Sequence, residues 1–593
     1  MALVLPFIML AAVTSVLARR WGWRNGSLMA YVALVLLWWA TAEVLSPFRV
    51  FGPLGVGAAY VLVASVAVAY AVRHPPHRPD LRPWLRSVWI WVLLAEFALL
   101  LLLAVNVAPN TVDSMAYHLP KVQHWIQDGT VGPFKTAYEP QIYLPYLAEI
   151  GMAHMSMLGG TVWAVNLVQL TAHGATLVGV SALARNCGLD RRGQAIAAAC
   201  IGLAPIAVSE AVTTQTDYVA ASLVIAAFVA ASQHRVTPPQ WGWLLLTATA
   251  SGLAVSTKPT AALVLLPAAL WAIPHLRGLG PVRVAGAVVG GVLAAVLVNL
   301  SWILDNVAVF DSPLRPDNET VNGRITPGIV VGNLIRNTGT LLGTPYSGMN
   351  KRLSAVLADA MSALGVDPHE PDALLGSPVY AVITSRTEDN PPNALHGLLI
   401  LAALVVLVVY GRRHDHYRRL RPVVLAVVVG LVLYAVQLRW QVWSIRLFLP
   451  LIALGAVLVA AWVVRWPRWL AGTLLVGLVA QSAPWLVLQE YRPLLGSSSV
   501  LTTSPEDELF IGNPTLRKNF VRVARETTRV PGARVGFGAD MFEWEYPMWY
   551  LLQREDPTVV IGNVDGTGPD RPGGPWDREL RMFEIRAMPA EGP

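Results

Sequence analysis

The chain has 593 residues, of which 54% are hydrophobic and only 14% charged, with a formal charge of +7. Soluble globular domains carry about 25% charged residues, so the composition excludes that class and points to a lipid bilayer. Two cysteines exclude a disulfide framework, and the excess positive charge sits as arginines in alternate loops, a membrane-topology signal and not a nucleic-acid footprint.

In chain order, apolar length and the arginine loops predict about fourteen spans. They lie at 3–17, 28–45, 54–72, 88–107, 162–184, 194–212, 218–231, 241–255, 261–273, 282–304, 396–410, 422–436, 447–464 and 469–488. The first is expected to be retained, since it lacks the charged start and the cleavage site of a signal peptide. Arg19, Arg20 and Arg24 follow it and set the inside. Arg73, Arg78, Arg82 and Arg86, then Arg185, Arg191 and Arg192, then Arg235, then Arg277 and Arg283 keep the same side. Arg412, Arg413, Arg418, Arg419 and Arg421 form the densest such loop, and Arg465 with Arg468 the last. Low lysine with high Ala, Val and Arg usage fits a GC-rich bacterial genome, as in actinobacteria.

With this topology the remaining polar features face outside. The first is Asn110-Thr-Val-Asp113-Ser-Met-Ala-Tyr117-His118-Leu-Pro-Lys121-Val-Gln-His124-Trp125, directly after the fourth span. Asp113 reads in two ways there: as a helix N-cap, or as a general base at the water–lipid boundary. The aromatic stretch from Trp125 to Tyr146, with Phe134, Tyr138 and Tyr143, reads as interfacial helices or as a sugar-stacking groove. Asp217, in Thr213-Thr-Gln-Thr-Asp217-Tyr218, is another cap or a partner of Asp113, the two together able to bind a divalent cation. Lys258 in Ser256-Thr-Lys258-Pro-Thr260 and Arg446 in Trp443-Ser-Ile-Arg446-Leu-Phe-Leu-Pro450 either snorkel or hold a lipid phosphate. Glu96 is a carboxylate inside the fourth span, with no partner visible in the sequence. Loop 305–395 is rich in Pro, Gly, Asn and Asp, with an amphipathic helix expected near Arg352–Leu364. In the tail 489–593, Arg534-Val-Gly-Phe-Gly and Pro557-Thr-Val-Val-Ile-Gly-Asn read as strands of a small α/β domain.

Residues in this order resemble the GT-C type of integral-membrane glycosyltransferase, in the branch of protein O-mannosyltransferases and lipid A aminoarabinose transferases. Asp-Ser-x-x-Tyr-His-Leu-Pro-x-x-x-x-Trp at 113–125 resembles that branch's first-loop motif. Asn299-Leu-Ser-Trp302-Ile-Leu-Asp-Asn306 with Asp311-Ser-Pro313-Leu-Arg-Pro316 is similar to its Trp-x-x-x-Asn…Gly-Asn-Pro segment, and Arg446-Leu-Phe-Leu-Pro450 to its Arg-Tyr-Leu-Leu-Pro element. Glu388-Asp-Asn-Pro-Pro-Asn-Ala-Leu-His396 is similar to a run in bacterial members.

The resemblance implies an all-α polytopic fold with a small α/β C-terminal domain. Residues 1–87 would be three additional spans and 88–304 the seven-span module, with an acidic first external loop at 108–161. An external loop at 305–395, four more spans at 396–488 and the C-terminal domain at 489–593 would complete it. It further implies inverting transfer of a sugar from a polyprenyl-phosphate donor to a glycan, lipid or protein acceptor on the outer face of the cell membrane. Asp113 would act as base, with Tyr117, His118 and Asp217 on the acceptor and Lys258 and Arg446 on the leaving phosphate. A single acidic residue stands where some relatives have a pair, so a metal, held by Asp113 and Asp217 if at all, is left open. Rival readings are a flippase for a lipid-linked sugar, which would show inverted repeats, and a glycan polymerase or ligase.

Overall fold

The structure, a computed structural model, describes residues 2–76, 78–314, 319–410, 415–540 and 542–587. Arg412 and Arg413 of the densest arginine loop, and Arg315 and Pro316 of the Asp311 motif, lie outside the described residues.

The protein is a polytopic helical bundle. Among the described residues six helices are long and apolar enough to cross a membrane, and four apolar helices of 10–17 residues join them. The first two expected spans form one helical element, α1 (Leu5–Leu45), of 41 residues. Straight, it would measure about 61 Å, twice a hydrocarbon core. It is broken at Gly22, whose φ of 76° and ψ of 161° suit glycine alone. The halves double back so tightly that a Cβ on Gly26 would lie 2.7 Å from the backbone nitrogen of Ala18. The turn that Arg19, Arg20 and Arg24 flank is therefore a glycine-made reversal.

α2 (Pro53–Arg73) and α3 (Val88–Ala104) follow. The segment after α3 carries α4 (Leu119–Asp128) and α5 (Leu147–Gly159). α6 (Leu167–Asn186) leads to α7 (Arg191–Gly202) and the short α8 (Pro205–Glu210). The expected span 194–212 is thus two helices, separated just before Pro205, which starts the second because its ring suits a helix's first turn.

α9 (Asp217–Ser232) is the hub. All 16 of its residues are buried, as expected of a helix apolar all round. Around it pack α6, α10 (Trp241–Thr257), α11 (Ala262–Ala272) and α17 (Leu449–Val463). α12 (Pro281–Phe310) flanks α10. Between α12 and α15 (Ala394–Tyr410) a hairpin of α13 (Pro327–Leu341) and α14 (Ser347–Ala363) supplies the expected amphipathic helix. That hairpin has its own small core of Met361, Val366, Leu374, Tyr380, Val382 and Trp440. Here β1 (Leu374–Leu375) pairs in parallel with β2 (Trp440–Gln441), which follows α16 (Arg421–Gln437). α18 (Arg468–Val487) closes the bundle.

The C-terminal part is the expected α/β unit. β3 (Arg534–Gly538) and β4 (Val560–Asn563) are the two strands read from the sequence. A third, β5 (Arg578–Arg581), joins on the other side of β3, giving a parallel sheet of order β4-β3-β5. Its Arg-Glu-Leu-Arg sequence, suited to an exposed edge, hid it from an apolar-pattern search. α19 (Leu516–Thr527) packs against α20 (Glu545–Glu555), which sets Trp549 edge-on to Phe537 of β3, with centroids 6.2 Å apart.

This unit is bonded to the segment between α3 and α6. Gln127 donates to the Ile561 carbonyl at 2.7 Å and accepts from the Ile561 N–H at 2.9 Å. Thr136 and Thr567 form an antiparallel bridge. Asn110 donates to the Tyr491 carbonyl, and the Ala108 N–H to Glu508 at 2.7 Å.

Candidate active site

Four stretches distant in sequence meet at one end of the bundle, with Arg446 at their centre. Arg446 stands in a single helical turn, Ser444–Leu447, just before α17, and is 7% exposed. Its Nη2 donates to Asp113 Oδ2 at 3.0 Å and to Gln215 Oε1 at 2.6 Å, and lies 3.6 Å from Asp217 Oδ2. Nη1 donates to Asp389 Oδ1 at 2.6 Å, and Nε lies 3.6 Å from Glu210 Oε1. A planar guanidinium can face this many carboxylates because its N–H groups fan out in fixed directions.

Asp113 does not cap a helix. Its backbone is itself helical and its side chain makes no cap bond. Instead the next residues, Ser114–His118, form a π-turn, a local bulge frequent at functional sites, and the carboxylate bonds sideways to Gln215 Nε2 at 3.0 Å and to Arg446. Burial opposes its charge, yet Arg446, then His118 and Gln215, outweigh it and hold the carboxyl below its ordinary range.

Asp217 opens α9, where the helix dipole favours a carboxylate. Its Oδ1 accepts from Lys258 Nζ at 2.5 Å. Lys258, the residue after α10, is therefore ion-paired and not snorkelling. Asp113, Asp217, Lys258 and Arg446 thus form one connected cluster.

His118 and Tyr117 lie beside it with different partners. The His118 Nδ1 is 2.9 Å from Glu149 Oε1, which also accepts from Lys121 Nζ at 2.9 Å. All three residues are buried, Lys121 completely. Glu149 is held down to about 2: burial works against its charge, and Lys121 and His118 overcome it. The Tyr117 ring rests on His118, with centroids 4.2 Å apart. Burial and then Asp113 push its phenol well above the ordinary range.

Glu210, Gln215, Asp389 and Glu149 were not singled out from the sequence. Glu210 ends α8, inside what reads as a single span. The usable signal was an acid at the edge of an apolar run, three residues before Thr213-Thr-Gln. Asp389 lay within the Glu388–His396 run, which the structure now explains. Glu388 pairs with Arg492 at 2.7 Å, Asn393 accepts from the Ile206 N–H at 3.3 Å, and His396 Nε2 lies 2.9 Å from the Cys200 carbonyl. The run rivets the entry to α15 against α7 and α8 while presenting Asp389 to Arg446. The Asn299 motif is likewise structural: Trp302 and Asn306 both donate to the Tyr143 carbonyl, at 2.9 and 3.3 Å.

Glu96 also gains its partner. It is 3.0 Å from His173 Nε2, whose Nδ1 is 2.7 Å from the Tyr218 hydroxyl. This buried chain braces α9 one residue beyond Asp217.

Among the described residues no group of three or more His, Cys, Asp or Glu is arranged to hold a metal ion. Asp113 and Asp217 instead share Nη2 of Arg446, which a cation binding between them would have to displace.

A protein family described as "Predicted membrane protein (DUF2142)" matches residues 107–322, the stretch that holds Asp113, Asp217 and Lys258. No curated protein matches the chain. The structure is similar to that of ArnT from Cupriavidus metallidurans bound to undecaprenyl phosphate, at 13% identity and a TM-score of 0.48, covering 81% of this chain and 86% of that one. It is also similar to the archaeal oligosaccharyltransferase AglB from Archaeoglobus fulgidus in complex with an inhibitory peptide and a dolichol-phosphate, at 12% identity and 0.39, covering 81% and 65%. A third likeness is to the arabinofuranosyltransferase AftD from Mycobacteria, at 14% identity and 0.38, covering 80% of this chain and 32% of that one.

Proposed function

We propose that this protein is a membrane glycosyltransferase of the GT-C type, which transfers a sugar from a polyprenyl-phosphate donor to an extracytoplasmic acceptor with inversion. The observation that carries this reading is the contact of a carboxylate, Asp113, with a guanidinium, Arg446, at 3.0 Å, beside the Lys258–Asp217 pair at 2.5 Å. One group can accept a proton while the others receive an anion, all at one end of an apolar bundle. The arginine-rich loops support placing that end outside the cell membrane.

In the reaction the acceptor oxygen forms a bond to the anomeric carbon as the bond from that carbon to the phosphate oxygen breaks. The phosphate leaves with the electron pair, and Asp113 takes the acceptor's proton. Arg446 and Lys258 stabilise the charge that develops on the departing phosphate.

The resting contacts couple these roles. Four carboxylates, those of Asp113, Glu210, Asp217 and Asp389, surround Arg446 and Lys258. A donor phosphate must take guanidinium N–H groups from some of them. When it takes Nη2, Asp113 loses the interaction that held its proton affinity down, so the base strengthens only once the donor is in place.

Asp113→Asn keeps the shape and removes the base, so transfer is expected to fall by about 10²–10⁴-fold. The check is transfer from a panel of radiolabelled polyprenyl-phosphate hexoses and pentoses, with the fold verified by thermal unfolding. Full transfer by a folded variant would sink the mechanism. Translocation of labelled lipid-linked sugar with no transfer at all would favour a flippase.

Asp389 gives a pH signature. Burial raises its carboxyl, Arg446 lowers it, and Glu388 and Asp113 raise it again, leaving it near 6. Below that pH Asp389 is neutral and lets go of Nη1; above it, the carboxylate competes with the donor phosphate. The KM for donor is therefore expected to rise as pH climbs through about 6, and Asp389→Asn to flatten the step. An unchanged step in the variant would assign it to another group.

A further inference from the structure

The site has an aromatic approach to which two separate parts of the chain contribute. Tyr117 lies one turn after Asp113. The Tyr138 ring stands edge-on to it, with centroids 6.1 Å apart and planes at 77°. Phe542, from the C-terminal domain, tilts against Tyr138 at 5.4 Å and 55°. A series of three rings thus leads from the Asp113 carboxylate outward: the part-exposed Tyr117, the buried Tyr138 that links them, and the exposed Phe542.

Phe542 is the unusual member. It is 54% exposed, so its ring gains little from burial. Its φ of 60° is left-handed, a strained conformation for a bulky residue. Neither exposure nor strain helps the domain fold. The turn is nevertheless held: the Asp540 N–H donates to Glu543 Oε2 at 3.1 Å, and the Glu543 N–H to the Asp540 carbonyl at 3.3 Å.

Three residues further on, Glu545 fixes this turn to the loop. Its Oε2 accepts from Gln141 Nε2 at 2.8 Å, and the same nitrogen donates to the Ala116 carbonyl at 2.9 Å. Thr136 donates to Gln141 Oε1 at 2.7 Å, and its hydroxyl accepts from the Tyr138 N–H at 3.1 Å. One glutamine therefore registers the residue before Tyr117, the turn before Tyr138 and the helix after Phe542. The ring spacing is set by bonds and not by chance contact.

Such a strip suits a sugar, which has an apolar C–H face to lay on a ring and hydroxyls for polar borders. It suits a lipid tail poorly, because its ends are carboxylates: Asp113 inside and the exposed Asp540 outside. Resting on the glycosyltransferase reading above, we propose that Tyr117 and Phe542 are the contact faces of a binding strip for a saccharide acceptor, with the buried Tyr138 fixing their spacing and the C-terminal domain supplying the outermost ring.

The test uses the full-length protein in lipid nanodiscs. The probe is a set of short oligosaccharides from partial hydrolysis of the host's cell-envelope polysaccharide, followed by saturation-transfer NMR. The wild-type protein is expected to bind them, and Phe542→Ala to weaken binding about tenfold. Phe542→Trp should retain it. Phe583→Ala, which removes an equally exposed ring elsewhere in the domain, should leave it unchanged. Equal binding by the two alanine variants overturns the proposal, as does binding of acyl chains or peptides in place of oligosaccharides. If binding depends on Phe542 but no polyprenyl-phosphate sugar is consumed, the transferase reading falls and the strip stands. If sugar is transferred with Phe542 indifferent, the strip falls alone.

Discussion

Arg446→Lys is expected to lower sugar transfer by about 10²–10³-fold, the scale seen when one preorganised donor to a developing anion is lost. Lysine keeps the charge but not the fan of fixed donors. Arg446 meets Asp113, Asp389 and Gln215 in three directions at 2.6–3.0 Å, and an ammonium reaching into the same space can satisfy only some of them. Donor phosphate would then be gripped at a point and not by a fork. Arg446→Gln should be worse in a second way. It strips Asp113, Glu210 and Asp217 of the guanidinium they share, leaving Lys258 on Asp217, and breaking a buried pair costs about 3–5 kcal/mol. The two variants separate the effects: lysine mainly lowers kcat at near-normal stability, whereas glutamine lowers the unfolding temperature as well. A lysine variant with wild-type kcat would show that the guanidinium holds the fold and not the phosphate.

Glu149→Gln is expected to destabilise the protein by about 3–5 kcal/mol without removing any group that touches substrate. Glu149 is the shared acceptor of His118 and of the fully buried Lys121. Its amide leaves a buried ammonium uncompensated. Because the Glu149 carboxyl sits near 2 in the folded protein against an ordinary 4.5, its ionised form contributes stability that is fully present above about 4.5. That contribution is lost as pH falls from 4.5 through 2. Thermal unfolding across this window should show a smaller acid-side decline in Glu149→Gln than in wild type. The double variant Glu149→Gln with Lys121→Met should recover much of the loss, since it removes the stranded charge together with its partner. A double variant no more stable than the single one would place the damage elsewhere.

The sequence made some of this legible and hid the rest for physical reasons. Helix positions could be read because a bilayer imposes apolar length, and the β3 and β4 strands because buried parallel strands are short apolar runs. Asp113, Asp217, Lys258 and Arg446 could be picked out as ionisable residues beside apolar runs. Their mutual contacts could not, because Arg446 reaches Asp113 across 333 positions and no local pattern encodes that. Asp113 read most simply as a cap, since caps depend on neighbours alone; the bonds its side chain makes, to Gln215 and Arg446, span 102 and 333 positions. Glu210 and Glu149 were hidden inside apolar stretches, where a charge is tolerated only when a distant partner meets it.

The bonds between the loop after α3 and the C-terminal sheet set an order of events. Gln127 waits for Ile561, 434 positions later, while helix pairs such as α9 and α10 can close as soon as they are made. Contacts of such long range form late, because the intervening chain must first give up its freedom. In a chain inserted from its N-terminus, the bundle would stand nearly complete while the residues around Tyr117 and Tyr138 still lacked their clamp. The sheet that carries Ile561 would be the part that finishes the loop after α3, so the protein would gain its working shape only once that sheet had been made.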